Sequence, residues 1–185
     1  MRKNFGAQSW LYPMPVLIIA TYDENGVPNA MNAAWGGIND YNQITMCLSP
    51  THKTVKNILK RKAFTVSVAD AAHVIAEDYV GIVSGNSQHD KFSKAGFTET
   101  KSEFVDAPVI NEIPMALECE LEKVNSDGLI VGKIVNVSAD ESVLGANGKI
   151  NPALFRPITF DAVNNQYIAL GEVVGKAFSD GAKLK

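Results

Sequence analysis

Three polar segments of the 185-residue chain carry residue types that could hold a small ligand. The first, residues 29–35, is rich in Ala and Asn and ends in Trp. Small side chains let a flat heterocycle approach the backbone, whose N–H and C=O groups can then bond its edge. Taken alone, the segment is better explained as a barrel strand at a tight corner. The ligand interpretation selects Met31, Asn32, Ala33, Ala34 and Trp35.

The second segment, residues 49–54, runs into an amphipathic helix predicted over residues 51–62. The hydroxyls of Ser49, Thr51 and Thr54, the Lys53 ammonium and the free N–H groups of a helix start could together cradle a phosphate. Alternatively, Thr51 caps the helix and the lysines form a solvated face. Both interpretations stay open on this segment alone. The chain has neither a P-loop nor a G-x-G-x-x-G motif, so the usual mononucleotide and dinucleotide folds lack support.

The third segment, residues 84–92, is a polar loop with a glycine near its start. Such a loop can wrap around a ligand, with Lys91 supplying charge and Phe92 a stacking face. On its own, it is better explained as an ordinary surface loop.

The remaining groups of residues give weaker evidence for a chemical role. The histidines and cysteines show no metal-ligand spacing, and a nucleophile built from Cys47 and His52 has no third group beside it. Cys119 alternates with polar neighbours and is expected to be a packed thiol. The basic residues of 53–62 lack interleaved aromatics, which argues against nucleic-acid binding. We therefore expect no side chain to act as nucleophile or general base.

The elements that must position these segments are mostly strands joined by hairpins. Asn25-Gly26 and residues 125–128 are typical hairpin turns. Helices are predicted at 51–62, 71–83 and 87–95. Strands are predicted at 15–22, 27–35, 43–49, 63–68, 115–124 and 129–137, and residues 158–160 and 167–170 could close the sheet. The pattern predicts a mainly β protein, an antiparallel β-barrel with inserted helices, as one domain over residues 1–185.

Composition limits the remaining classes. Seventeen basic and twenty acidic residues give a formal charge of −3, so the overall field does not favour a polyanion. Two cysteines are too few for a disulfide framework, which indicates a reducing compartment. The first apolar run is only strand-sized, so neither a signal peptide nor membrane association is expected. We predict a cytoplasmic protein.

The three segments in this order indicate a protein family far more specifically than any one of them does. Over about residues 13–175, the chain resembles the flavin reductase-like, FMN-binding split-barrel family, and within it the flavoredoxin branch. The shared landmarks are Pro15 and Val16; Gly26, Asn29, Asn32 and Trp35; Ser49, His52, Lys53, Thr54, Asn57 and Ile58; Asp90, Lys91 and Phe92; and, further on, Leu117, Glu118, Cys119, Val131 and Gly132.

The resemblance implies a homodimeric split barrel of antiparallel Greek-key type, with one FMN per subunit near the interface. Met31, Asn32, Ala33, Ala34 and Trp35 would run beside the isoalloxazine ring and ribityl chain. Ser49, Thr51, His52, Lys53 and Thr54 would hold the phosphate, with Asn57 close by. Lys91 and Phe92 would come from the loop of the same or of the partner subunit. Relatives often place an arginine in the phosphate segment, where this chain has His52 and Lys53.

The function implied is an NAD(P)H-dependent flavin reductase, with NADH or NADPH passing hydride to the flavin. Two alternatives remain. One is an FMN electron carrier without a productive nicotinamide site. The other is a barrel for a different phosphorylated heterocycle, such as a pyridoxal or deazaflavin cofactor, because a fold alone does not determine function.

Overall fold

Seven antiparallel strands form the main sheet of the computed structural model, which describes residues 1–184. The strands among these residues are β1 Met14–Pro15, β2 Leu17–Tyr22, β3 Pro28–Ala33, β4 Gly36–Asp40, β5 Gln43–Cys47, β6 Ala63–Val68, β7 Glu99–Lys101, β8 Pro108–Ile110, β9 Met115–Val124, β10 Leu129–Ala139, β11 Ile158–Asp161 and β12 Gln166–Ala169. The main sheet has the order β3-β2-β6-β9-β10-β5-β4.

In the described part of the chain, four short α-helices interrupt the strands: α1 Lys53–Arg61, α2 Val74–Ile82, α3 Lys91–Lys94 and α4 Pro152–Phe155. Two 3-10 helices span Glu141–Val143 and Asp180–Leu184. No helix among residues 1–184 is long and apolar enough to cross a membrane.

The two predicted hairpins are confirmed. The Asp23 N–H donates to the Val27 carbonyl (2.9 Å), and Gly26 lies between β2 and β3 at φ +80°. That left-handed conformation favours glycine. Gly128 takes the same role between β9 and β10, at φ +84°.

The main sheet curls until its ends nearly meet. A Cβ added at Gly36, on the edge strand β4, would come within 3.0 Å of the Leu17 side chain on β2, near the other edge. Residues 34–35 carry the chain from the edge strand β3 straight to β4, across the gap between the edges. The expected barrel with inserted helices is therefore confirmed, with a split where β3 and β4 are not paired.

Each face of the curled sheet has its own apolar core. The inner core fills the barrel and is covered at one end by α1; its fully buried members include Ile19, Met46, Ile58, Phe64 and Val66. The outer core lies between the other face of the sheet and the inserted helices, and it includes Val16, Ile18, Ala30, Val80 and Phe92. Because β2 contributes Leu17 and Ile19 to one core and Ile18 and Ala20 to the other, this strand is buried on both faces.

The expectation that residues 158–160 and 167–170 close the main sheet was wrong. They form β11 and β12, which join β1 in a separate three-stranded sheet. The Thr159 hydroxyl accepts from the Met14 N–H (2.9 Å) and donates to the Met14 carbonyl (2.8 Å), which ties β11 to the start of the chain. Local sequence gives no signal for such a distant pairing.

Candidate functional site

A cavity of about 200 Å³ opens where β3, the start of α1 and the end of α2 meet. It brings together parts of all three chemically suggestive segments, which are far apart in sequence. Its lining residues are Met31, Asn32, His52, Lys53, Thr54, Val80, Gly81, Ile82, Val83, Ser84, Gly85 and Lys91.

The start of α1 presents unpaired donors at this cavity. His52 is the N-cap residue, and no side chain caps the helix. Within residues 1–184, the N–H groups of Lys53, Thr54 and Val55 find no hydrogen-bond acceptor. Three free N–H groups together with the positive end of the helix dipole make this position suited to an anion. Thr51 does not cap the helix, contrary to the alternative left open by the sequence.

Thr54 adds a fixed hydroxyl to these backbone donors. The residue is buried, and its Oγ1 accepts a hydrogen bond from the Asn29 side-chain amide on β3 (2.8 Å). The Thr54 hydroxyl hydrogen, in turn, has no acceptor in the described part of the chain. Thr54 can therefore donate to a ligand in the cavity without giving up its bond from Asn29.

Lys53 lines the cavity, but its ammonium already has a partner. Its Nζ lies 3.2 Å from an Asp23 carboxylate oxygen in the β2–β3 turn. Burial alone would raise the pKa of Asp23, but the N–H groups of Val27 and Asn25 and the Lys53 ammonium together hold it below its usual value. Lys53 thus links helix to hairpin, and its charge at the cavity is partly neutralised.

The edge strand β3 supplies backbone groups along the cavity. Asp23 and Val27 form a hydrogen-bonded pair, so alternate positions turn their N–H and C=O groups away from β2. By this register, Ala30 and Asn32 present theirs at the open edge of the sheet. The Asn32 side-chain amide donates to the Glu77 carbonyl on α2 (3.1 Å), which fixes the residue against the helix.

Glycines allow the close approach of these elements. A Cβ at Gly81 on α2 would lie 2.9 Å from the Asn32 Cβ, so only glycine permits the helix to pack this near β3. A Cβ at Gly85 would lie 2.3 Å from the Asn29 side-chain oxygen and 3.3 Å from the Lys53 Cβ. The loop after α2 therefore rests directly on the start of α1.

Lys91 is buried at the cavity wall, with only 3% of its surface exposed. Its Nζ donates to the carbonyls of Val80 (3.0 Å) and Val83 (2.9 Å) at the end of α2. Burial lowers the pKa of this lysine to about 8. The ammonium compensates the negative end of the α2 dipole and holds that end at the cavity.

The prediction that Phe92 offers a stacking face was wrong. Phe92 is 2% exposed and packs edge-to-face on Phe97 (ring centroids 5.8 Å apart) within the outer core. An apolar ring following a polar loop is stabilised more by burial than by exposure at a ligand.

Other predicted residues lie around the cavity rather than in its wall. Asn57 is buried and donates to the Thr21 hydroxyl (3.0 Å). Ser49 and Thr51 are exposed, and their hydroxyls bond each other (2.8 Å). Ala33 packs against the inner core.

Ala34 and Trp35 line a second, more apolar cavity of about 400 Å³ further along the same chain segment. Trp10, Leu11, Met14 and Pro15 from the N-terminal segment complete most of its wall. Trp35 keeps 57% of its surface exposed there. Residues 31–35 therefore pass from the first cavity to the second.

Sequence reasoning identified the loop that begins at Ser84 and Gly85 but not their individual roles, and it missed Gly81 on α2 and Asn29 as a positioning residue. A glycine inside a predicted helix was the available signal for Gly81, because it weakens a helix unless another element needs the space.

A curled antiparallel barrel with an anion-suited helix start at its open edge defines a split barrel built for a small charged ligand. Residues 9–164 match the model of the flavin reductase like domain, and the chain belongs to this family. The expected resemblance to flavoredoxins is also confirmed.

Three solved structures show how far the similarity extends. Flavoredoxin of Desulfovibrio vulgaris (Miyazaki F) is 39% identical, covers 98% of this chain and 100% of its own, and superposes with a TM-score of 0.94. Flavoredoxin from Methanosarcina acetivorans is 24% identical, with full coverage of both chains and a TM-score of 0.89. The FMN-binding domain of a flavin reductases-like enzyme from Shewanella baltica is 23% identical, covers 88% of each chain and has a TM-score of 0.77.

Proposed function

We propose that the chain is an FMN-binding flavoprotein that uses the cavity between β3, α1 and α2. The observation that carries this proposal is the uncapped start of α1 beside the cavity, with three free N–H groups and the buried Thr54 hydroxyl. Helix starts of this kind bind phosphate groups. The family and the FMN-binding domain from Shewanella baltica agree with this ligand class.

The residues present fit FMN in size and in chemistry. The cavity of about 200 Å³ is smaller than most pockets that enclose a whole ligand, so it suits the phosphate and part of the ribityl chain. Met31, Asn32, Ala34 and Trp35 would then line the ring portion towards the second cavity, and Ala33 would contribute only its backbone. The outward N–H and C=O groups of Asn32 are of the type that pairs with the edge of a heterocycle.

FMN, when bound, would supply the hydride and electron transfer. The chain's own residues bind and orient it. The start of α1 and Thr54 hold the phosphate, and Asn32, fixed by its bond to α2, keeps its backbone donor in place. Trp35 and Trp10 line the second cavity.

We further propose that the protein is an NAD(P)H-dependent flavin reductase, taking NADH or NADPH as donor. The second candidate is an FMN electron carrier reduced by another protein, which the 39% identity to a flavoredoxin favours. Anaerobic addition of NADH and then NADPH to the purified holoprotein distinguishes them. Bleaching of the flavin absorption by either donor supports the reductase, whereas bands that persist with both support the carrier.

We also propose a homodimer. Trp10, Leu11 and Trp35 line the second cavity yet stay 40%, 67% and 57% exposed. Apolar surface of this kind, next to a ligand site, is commonly covered by another subunit. A solution mass of one chain at micromolar concentration would contradict it.

The phosphate assignment predicts that FMN binds more tightly than riboflavin and that this preference depends on Thr54. A Thr54→Val variant loses the hydroxyl but keeps the shape, and we expect its FMN affinity to fall at least about 10-fold, with riboflavin affinity nearly unchanged. Lys53→Met should lower the FMN affinity less than Thr54→Val does, because the Lys53 ammonium is already paired with Asp23. Fluorescence titration with both ligands measures this.

Lys60→Met, at the other end of α1, is the matched control and should leave both affinities unchanged. Equal affinity for FMN and riboflavin in the native protein would refute the assignment of the phosphate to this helix.

A further inference from the structure

Two buried polar atoms have no hydrogen-bond partner among residues 1–184: Oε2 of Glu77 and Oγ of Ser67. Glu77 is 1% exposed, and Ser67 is fully buried. A buried polar atom without a partner costs free energy, and in native proteins it calls for an explanation. Two such atoms in one layer point to a role other than packing.

Both atoms belong to the outer layer, behind the proposed FMN strand. Ser67 pairs with Ile18, which in turn pairs with Asn32. Directly paired residues of antiparallel strands point to the same face, and Ile18 belongs to the outer core. Helix α2 covers this face and accepts the Asn32 amide at the Glu77 carbonyl (3.1 Å).

The Glu77 carboxyl has one donor and no cation among the described residues. Its Oε1 accepts from the Asp70 N–H (3.0 Å). The Asp70 carboxylate is itself held by the His73 ring (3.0 Å) and by the N–H groups of Ala72 and His73. Burial, reinforced by the Asp70 charge, raises the pKa of Glu77 to about 8, against the lowering effect of the Asp70 N–H.

The other ionisable groups around Glu77 come from three elements. Asp78 follows it on α2 and accepts from the Tyr167 hydroxyl of β12 (2.8 Å). That hydroxyl also lies 3.5 Å from the Asn32 amide nitrogen. Lys91, on α3, bonds its ammonium to the Val80 and Val83 carbonyls at the end of α2, about one turn beyond Glu77.

We propose that the protonation state of the Glu77 carboxyl changes with the redox state of the bound flavin. This inference rests on the proposed FMN site. Asn32 lies between the cavity and Glu77: its backbone edge faces the cavity, and its side-chain amide donates to the Glu77 backbone carbonyl (3.1 Å). Negative charge added at the cavity disfavours an ionised carboxylate behind it, because Coulomb energies are large where water is excluded.

Reduction of the bound flavin takes two electrons and one proton. A reduced nicotinamide supplies them together as hydride, whereas dithionite supplies the electrons and solvent the proton. In both cases the flavin gains one net negative charge. Above pH 8, where Glu77 is ionised in the oxidised protein, reduction draws one proton from solvent onto its carboxylate and forms one O–H bond. The protein therefore takes up one more proton per flavin reduced than a protein without this carboxyl.

The direct test follows the Glu77 carboxyl carbon by NMR in native protein labelled with ¹³C-glutamate, in the apo, oxidised and dithionite-reduced forms. The Glu77→Gln variant assigns the signal by its absence. We expect titration near pH 8 in the oxidised form and at higher pH in the reduced form. Identical titration in the two redox states, or ionisation near pH 4.5 in all forms, overturns the proposal.

A second readout is the flavin midpoint potential as a function of pH. Above pH 8, the potential of the native protein should fall more steeply with pH than that of Glu77→Gln. Glu99→Gln, on the exposed strand β7, is the matched control and should behave as the native protein. Equal slopes of midpoint potential against pH for the native and Glu77→Gln proteins overturn the proposal.

The two proposals fail in different ways. A protein that binds no FMN refutes the proposed function and the redox coupling with it, while the apo titration still shows whether Glu77 holds a proton. A protein that binds FMN but shows no shift on reduction refutes the coupling alone.

Discussion

The two faces of the curled sheet differ in how completely their buried polar groups are hydrogen-bonded. In the barrel interior, the side chains of Thr21 and Asn57 bond each other, and apolar residues fill the rest of the inner core. In the outer layer, Ser67 and Glu77 keep unpaired atoms, and Lys91 is buried against helix carbonyls. Natural proteins depart from complete polar pairing mainly at functional sites. The barrel interior is therefore mainly a scaffold, and the outer layer is where buried polar atoms are left without partners.

The same difference appears in the close contacts made by glycines. At the inner face, Gly132 makes room for the Phe64 ring, since a Cβ there would lie 2.3 Å from the ring's Cζ. Around the cavity, Gly81 and Gly85 make room for the polar residues Asn32 and Asn29. One set of contacts tightens the core and the other positions ligand-binding groups.

The largest expected effect of a substitution comes from the scaffold. Phe64→Ala removes a fully buried ring of the inner core and should lower the free energy of unfolding by about 3–5 kcal/mol. Urea unfolding followed by circular dichroism measures the loss. The FMN affinity of the protein that remains folded should change little, because Phe64 does not line either cavity along residues 31–35.

Phe64→Leu keeps much of the volume and serves as the variant if Phe64→Ala does not fold. If the free energy of FMN binding fell by as much as the free energy of unfolding, Phe64 would contribute to the site as well as to the scaffold.

The scaffold was largely predictable from sequence because its signals are local. The β-branched run before Asn25-Gly26, the turn itself and the amphipathic pattern of α1 each identify an element. Strand β4 was not predicted, since Gly36-Gly37-Ile38-Asn39-Asp40 has no alternation and lies at an exposed edge. The pairing of β11 with β1 is set by contacts over more than a hundred residues and has no local pattern.

The site was predictable only in part. The free N–H groups at the start of α1 follow from the helix itself, and the structure places β3 beside them. The end of α2 was missed because its contribution is a close approach at Gly81 and Gly85 rather than a polar side chain. The error at Phe92 has a similar origin, since a polar loop does not show which of its residues turns into the core.

A smaller effect on stability and a larger one on binding should come from Gly85. In Gly85→Ala, the new methyl group collides with the Asn29 side-chain oxygen, so the loop must lift from the start of α1 or Asn29 must release Thr54. We expect the free energy of unfolding to fall by about 1–3 kcal/mol. FMN affinity should fall more than about 10-fold, since either movement displaces groups at the proposed phosphate site.

The matched control is Gly37→Ala on β4, where an added Cβ meets no heavy atom within 4 Å. It should stay within about 0.5 kcal/mol of the native stability and bind FMN normally. Fluorescence titration and urea unfolding on the same samples separate the two quantities. Should Gly85→Ala lose stability without losing FMN, the loop after α2 would belong with the scaffold, and the site would consist of β3 and α1 alone.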